Sequence, residues 1–321
     1  MKPNIVILDG FTIISGSLSM EKWNKLGNTT VFDRTEPELV VERAKEADII
    51  LTNKVLITRP IMKALPRLRY IGVLATGYNV VDLKAAKEHG IVVTNIPAYS
   101  TASVAQLVFA HLLNICNNVG GYNQLVQQGV WQHSSDFCLT SIPQMELMNL
   151  TMGIVGLGNI GKAVARIAQS MGMEVMAVSS RPAEELAQMG IVKATNYESL
   201  FQLSDVISLH CPLTEETHHL VNAERLSLMK PSAILINTGR GPLVDEQALA
   251  DALNEGRIFA AGVDVLSEEP PHSGSPLIGA HNCHITPHIA WSTKAARERL
   301  LTIAYENIKA FLEGMPQNVV G

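Results

Sequence analysis

The chain has 321 residues, 47% of them apolar and only 17% charged, with a formal net charge of −5. That length favours two domains, and no long Lys/Arg run offers the footprint that nucleic acid or an anionic membrane would need. The low charged fraction points to surface hidden in a subunit contact, so a homodimer with small-molecule partners is expected.

Short apolar runs alternate with amphipathic stretches from the start: NIVIL at 4–8, ADIILT at 47–52, YIGVLA at 70–75 and GIVVTN at 90–95. This is the rhythm of a parallel sheet covered by helices on both faces. Residues 100–119 carry apolar side chains at helical spacing and predict one long, mostly buried helix. Residues 131–149 show no period and read as an irregular arm, a candidate for the subunit contact. The alternation restarts at Thr151 with MGIVG, EVMAV, DVISLHC, AILINT, IFAAGVDV and CHITP. A last helix places Leu300, Ala304, Ile308 and Phe311 on one face.

The expected fold is α/β with two doubly wound parallel-sheet domains, the first flavodoxin-like and the second of Rossmann type. The expected domains are residues 1–99 with 290–321 for the substrate and 100–289 for a dinucleotide, with a cleft between them for ligands. No segment reaches the roughly 18 uninterrupted apolar residues of a membrane span. Cys116, Cys138, Cys211 and Cys283 form no close pairs, so a reducing cytoplasm is the expected location.

GIVGLGNIG at 153–161 places Gly156, Gly158 and Gly161 in GxGxxG spacing between a strand and a helix. Gly156 allows the tight turn, Gly158 a close approach to a pyrophosphate, and Gly161 close packing of helix on strand. Asn159 and Ile160 open the helix whose free N–H groups face the anion. An acid that would hold the ribose hydroxyls of NAD is expected about 20 residues further on. Ser179, Ser180 and Arg181 stand there instead, a set suited to a 2′-phosphate, so the cofactor is NADP or NAD with NADP favoured. The alternative for Arg181 is an exposed turn arginine before Pro182.

Three later strand ends offer groups for oxo-acid chemistry: Arg240 in INTGRGPLVD, Glu269 in GVDVLSEEP and His288 in ITPHIAWST. Carbonyl reduction needs a cation for the substrate carboxylate, a proton donor for the oxygen and a group that tunes the donor. Taken singly, Arg240 could cap a loop, Glu269 could be a solvated turn acid and His288 a structural histidine. HNCHITPH at 281–288 brings His281, Cys283, His284 and His288 close in sequence. Neighbours in a strand point to opposite faces and the spacing suits no finger, so no metal is expected.

Together, ATGYNVVD at 75–82, GIVGLGNIG, SLHCPLTEET at 208–217, INTGRGPLVD, GVDVLSEEP and TPHIAWST resemble the D-isomer-specific 2-hydroxyacid dehydrogenase family over nearly the whole chain. The resemblance implies catalytic Arg240, Glu269 and His288. It implies a carboxylate contact from the backbone of Ala75, Thr76 and Gly77, and cofactor contacts from His210, Cys211, Pro212, Thr217, Thr238 and Asp264, the last at the nicotinamide carboxamide. In this scheme His288 donates the proton, Glu269 favours the charged imidazole and Arg240 pairs with the substrate carboxylate.

Trp291 resembles the glycerate dehydrogenase or hydroxypyruvate reductase branch, where an aromatic would wall a small substrate; packing of its helix is the alternative. Gln106 stands where the family usually has an acid. With the sequence ending at Gly321, no regulatory domain of the kind found in some phosphoglycerate-specific members is expected. The expected activity is NAD(P)H-dependent reduction of hydroxypyruvate, and of glyoxylate, to the D-2-hydroxy acid, and the reverse. The alternatives are another small 2-hydroxy acid as substrate, or a dinucleotide-sensing binding protein of corepressor type.

Overall fold

Backbone hydrogen bonding turns the apolar runs into two all-parallel sheets in the computed structural model, which describes residues 2–14 and 20–321. The chain divides into two units, Met1–Ser100 with Trp291–Gly321, and Thr101–Ala290. The first holds β1 (Asn4–Ile7), β2 (Asn28–Val31), β3 (Ile49–Thr52), β4 (Tyr70–Val73) and β5 (Val92–Thr94), in the order β2-β1-β3-β4-β5. That is the flavodoxin-like order. Strands β3 and β4 are buried throughout, as sheets covered on both faces require.

The second unit holds β6 (Thr151–Val155), β7 (Glu174–Val178), β8 (Val192–Lys193), β9 (Val206–Leu209), β10 (Ile234–Asn237), β11 (Ala260–Val263) and β12 (Cys283–Ile285). Their order, β12-β11-β10-β9-β6-β7-β8, is the Rossmann arrangement with a seventh strand on one edge. The expected doubly wound architecture is therefore what both sheets adopt. Strands β2 and β8 were not anticipated. Both are largely exposed and lack the apolar run that marks a buried strand.

The helix expected over 100–119 spans Thr101–Asn117 and then breaks, because Asn118 adopts a left-handed conformation (φ +44°). Its side chain caps a second helix, Val119–Gln127, by accepting from Gly121 N at 3.1 Å. Residues 131–149 form no helix or strand. The last helix, Lys294–Leu312, buries Leu300, Ala304 and Ile308 against Ile5, Ile49 and Leu74 of the first unit, with Phe311 partly covered.

Register positions the site. Val178, Val155, Leu209, Asn237, Val263 and Ile285 stand opposite one another in a single row across the larger sheet. The loops that follow these residues all leave from one edge. The strand order reverses between β6 and β9, the place where such sheets bind ligands.

Leu235, in the fully buried β10, is 0% exposed. Leu235→Ala is expected to cost about 2–5 kcal/mol. Thermal denaturation should register this as a fall of about 2–4 °C per kcal/mol.

Candidate active site

The loop after β6 is built from backbone contacts that exclude side chains. Gly156 has φ +93°, and a Cβ there would lie 2.7 Å from Cys211 N, in the loop that follows β9. Gly161 is buried in the first turn of the Asn159–Ser170 helix, where a Cβ would lie 2.2 Å from the Gly156 carbonyl oxygen. Around Gly158, by contrast, a Cβ would meet nothing within 4 Å. Two of the three glycines are thus fixed by packing, and the third faces open space beside the helix start. This cradle fits a pyrophosphate.

At the end of β7, Ser179 is half-buried and Ser180 exposed, and Ser179 Oγ accepts from Arg181 N at 3.2 Å. The Arg181 guanidinium forms an ion pair with Glu185, one turn further along. Lys193 Nζ donates to the Arg181 carbonyl at 2.7 Å. The sequence reading missed Glu185, although an acid four residues after Arg181 was a signal for it.

At the end of β9, His210 pairs with Ser208 Oγ at 2.8 Å, and burial lowers its pKa to about 4. Some of its edge stays accessible, yet the surrounding packing keeps the ring neutral. Burial raises the Cys211 thiol to about 11, so it remains protonated near neutral pH and is a poor nucleophile. Thr217 Oγ1 donates to Pro212 O at 2.7 Å and accepts from Thr214 N at 2.8 Å. Its hydroxyl closes its own loop.

At the end of β10, Thr238 Oγ1 is buried without a hydrogen-bond partner among the described residues. A buried orphan hydroxyl costs stability unless a ligand satisfies it. The Arg240 backbone is held by Asn237, whose Nδ2 donates to Arg240 O at 2.9 Å, while the guanidinium donates to Gly239 O at 2.8 Å and is otherwise exposed. A Cβ on Gly241 would fall 2.0 Å from Leu266 C, so this glycine lets the Arg240 loop press on the loop that carries Glu269.

Glu269 Oε1 accepts from Leu266 N at 3.0 Å, and Oε2 meets His288 Nδ1 at 2.6 Å. The side chains are 33% and 29% exposed, so solvent and small ligands reach them. With Nδ1 held by a carboxylate, Nε2 is the ring nitrogen presented to a ligand. His288 itself has φ +53°, a left-handed conformation that a residue with a side chain adopts only when its surroundings hold it. Asp264, 1% exposed, supplies that hold. Its carbonyl accepts from His288 N at 2.8 Å, and its carboxylate accepts from Ile289 N, Ala290 N (both 2.8 Å) and Thr286 Oγ1 (2.6 Å).

In the first unit, Ala75, Thr76 and Gly77 follow β4. Their loop is tied by Ile96 N to Ala75 O (3.0 Å), Thr76 Oγ1 to Ile96 O (2.9 Å) and Asn95 Nδ2 to Thr76 O (2.8 Å). Trp291 packs, partly buried, on the core of that unit. Among the described residues no group of three or more His, Cys, Asp or Glu is placed to hold a metal, and no helix is long and apolar enough to cross a membrane.

Residues 109–290 match the model of the D-isomer specific 2-hydroxyacid dehydrogenase, NAD binding domain. A hydroxypyruvate reductase of Blautia hydrogenotrophica is 47% identical over 98% of this chain and 99% of its own length. The chain belongs to the D-isomer-specific 2-hydroxyacid dehydrogenase family. A glycerate dehydrogenase of Methylorubrum extorquens is 42% identical over 88% of each chain. An acyclic imino acid reductase solved with NADPH and D-Arg is 32% identical and superposes with a TM-score of 0.85, over 99% of this chain and all of that one. As a dehydrogenase of this family the chain is an oxidoreductase that uses a nicotinamide dinucleotide, and the Gly156–Gly161 cradle and the orphan Thr238 hydroxyl fit that group.

Gly161→Ala should weaken dinucleotide binding by roughly tenfold or more, because the helix must retreat from the loop that faces the phosphates. Fluorescence titration with NADH and NADPH measures it; wild-type affinity would contradict the packing argument.

Proposed function

We propose that the enzyme reduces hydroxypyruvate, and glyoxylate as a second substrate, to the D-2-hydroxy acid, with NADPH preferred over NADH, and that it catalyses the reverse oxidation. The observation that carries this reading is the 2.6 Å contact between His288 Nδ1 and Glu269 Oε2 at adjacent strand ends. The names of the two relatives described above supply the substrate class.

When bound, a nicotinamide dinucleotide would supply the hydride for the carbonyl carbon. His288 Nε2 gives its proton to the carbonyl oxygen, and the neutral ring takes that proton back in the oxidation. Glu269 stabilises the charged imidazole by Coulombic attraction and orients the ring through Nδ1. Arg240, whose guanidinium donates to Gly239 O and to no other group among the described residues, pairs with the substrate carboxylate as a planar fork. In this reading residues 1–100 with 291–321 form the substrate domain, whose Ala75–Gly77 backbone offers N–H donors to a carboxylate, and residues 101–290 form the dinucleotide domain. Asp264, which spends its carboxylate on the His288 loop, has at most one acceptor direction left for the nicotinamide carboxamide.

Preference for NADPH rests on Ser179, Ser180 and Arg181. Glu185 competes for the guanidinium, but an exposed ion pair one helical turn apart contributes only about 0.3–0.5 kcal/mol. A 2′-phosphate with up to two negative charges displaces it. A homodimer is part of this reading. It is supported by the exposed Val130, Trp131 and Phe137 on the arm and by an apolar groove that Ala105, Phe109, Ala163 and Ile167 line.

An assay of NADPH oxidation with hydroxypyruvate, glyoxylate, pyruvate and phosphohydroxypyruvate tests the activity; turnover of none of them would refute it. His288→Ala is expected to lower kcat by roughly 10²–10⁴ while dinucleotide binding persists. Arg181→Gln should raise the KM for NADPH by roughly ten- to a hundredfold and leave that for NADH within about twofold. An equal change for both coenzymes would remove Arg181 from phosphate recognition.

A further inference from the structure

The acid–base scheme leaves a buried imidazole unused. His111 lies on the Thr101–Asn117 helix and is 5% exposed. It fits against β11 only because residue 262 is glycine: a Cβ there would stand 2.7 Å from His111 Cβ. Its Nε2 is 3.0 Å from Thr286 Oγ1, which in turn is 2.6 Å from Asp264 Oδ1.

A hydroxyl has one hydrogen and an ionised carboxylate has none, so the hydrogen of Thr286 lies on the Asp264 contact. His111 must then donate Nε2–H to the Thr286 oxygen, which assigns its tautomer. Burial is the main influence on His111 and lowers its pKa; the Asp264 charge opposes this and His284 adds to it. The ring is therefore a neutral donor near neutral pH. The carboxylate at the end of the chain grips Ile289 N and Ala290 N, immediately after the left-handed His288. Eight residues before His111, Ser103 Oγ on the same helix donates to the Ala290 carbonyl.

We propose that His111 is a positioning residue for His288: through Thr286 it fixes the Asp264 carboxylate, which holds the backbone that aims the proton-transferring ring. This rests on the acid–base reading of His288. No step of the chain carries a proton; it is a row of static hydrogen bonds anchored in a helix core. Loss of a link leaves the fold and the phosphate cradle in place and lets the His288 loop wander from its productive geometry, an error that costs rate more than binding.

Four variants of the full-length enzyme test it: His111→Phe, His111→Gln, Thr286→Val and the double variant H111F/T286V, with kcat, both KM values and Tm measured for each. His111→Phe and Thr286→Val should each lower kcat by roughly ten- to a hundredfold, with the KM for the dinucleotide within about twofold. The double variant should lose no more than the worse single one, because both break the same chain. His111→Gln, which keeps an N–H donor, should recover much of kcat. If His111→Phe fails to fold, Thr286→Val decides alone. Wild-type kcat in Thr286→Val, or losses that multiply in the double variant, would overturn the proposal. His288→Ala run alongside separates the two readings. If it is inactive while Thr286→Val is fully active, only the positioning role fails; if it is active, the acid–base reading falls and the positioning role with it.

Discussion

The alignment of strand ends in the larger sheet is the constraint from which the rest follows. Parallel pairing sets Val155, Val178, Leu209, Asn237, Val263 and Ile285 side by side, so the next residue of each chain segment emerges at the same edge. Gly156, Ser179, His210, Thr238, Asp264 and Thr286 are those residues. A site drawn from widely separated stretches of chain is assembled by backbone hydrogen bonds alone, and side chains are needed only to refine it.

The refinement is done largely by glycines and one carboxylate. Gly156, Gly161, Gly241 and Gly262 each mark a place where a single carbon would separate two segments that the site needs in contact. Asp264 then fixes the last loop with three hydrogen bonds to its carboxylate and one to its carbonyl, in a place with almost no solvent. Buried charge is tolerated when donors surround it, and here they come from the loop it organises. The His288 conformation is a strained one made stable by that arrangement.

Much of this was legible in the sequence because it depends on local rules. The strands β3, β4, β9, β10 and β11 are fully buried, so they show as predominantly apolar runs. Gly156 and Gly161 of GLGNIG report hard-sphere contacts that hold wherever a helix must start close to a strand. What escaped the reading depends on partners distant in the chain or on weak local signals. Strand β2, NTTV, lies on an edge with polar residues outward. The helix break at Asn118 has no proline to announce it, and the glycines that follow are tolerated inside the next helix. The anchoring by Asp264 connects it to backbone N–H groups 25 and 26 residues away, which no side-chain pattern encodes. The bond from Thr217 to the Pro212 carbonyl and the packing of Trp291 on the core of its unit are likewise contacts that no motif reveals.

The four thiols differ sharply in environment. Burial raises Cys116 and Cys211 to about 11 and Cys283 to about 12, whereas Cys138 stands exposed on the irregular arm. Oxidants and alkylating reagents will therefore find one address first. A purified sample kept without reductant would crosslink through that segment, and the same chemistry makes Cys138 a natural attachment point for a spectroscopic label.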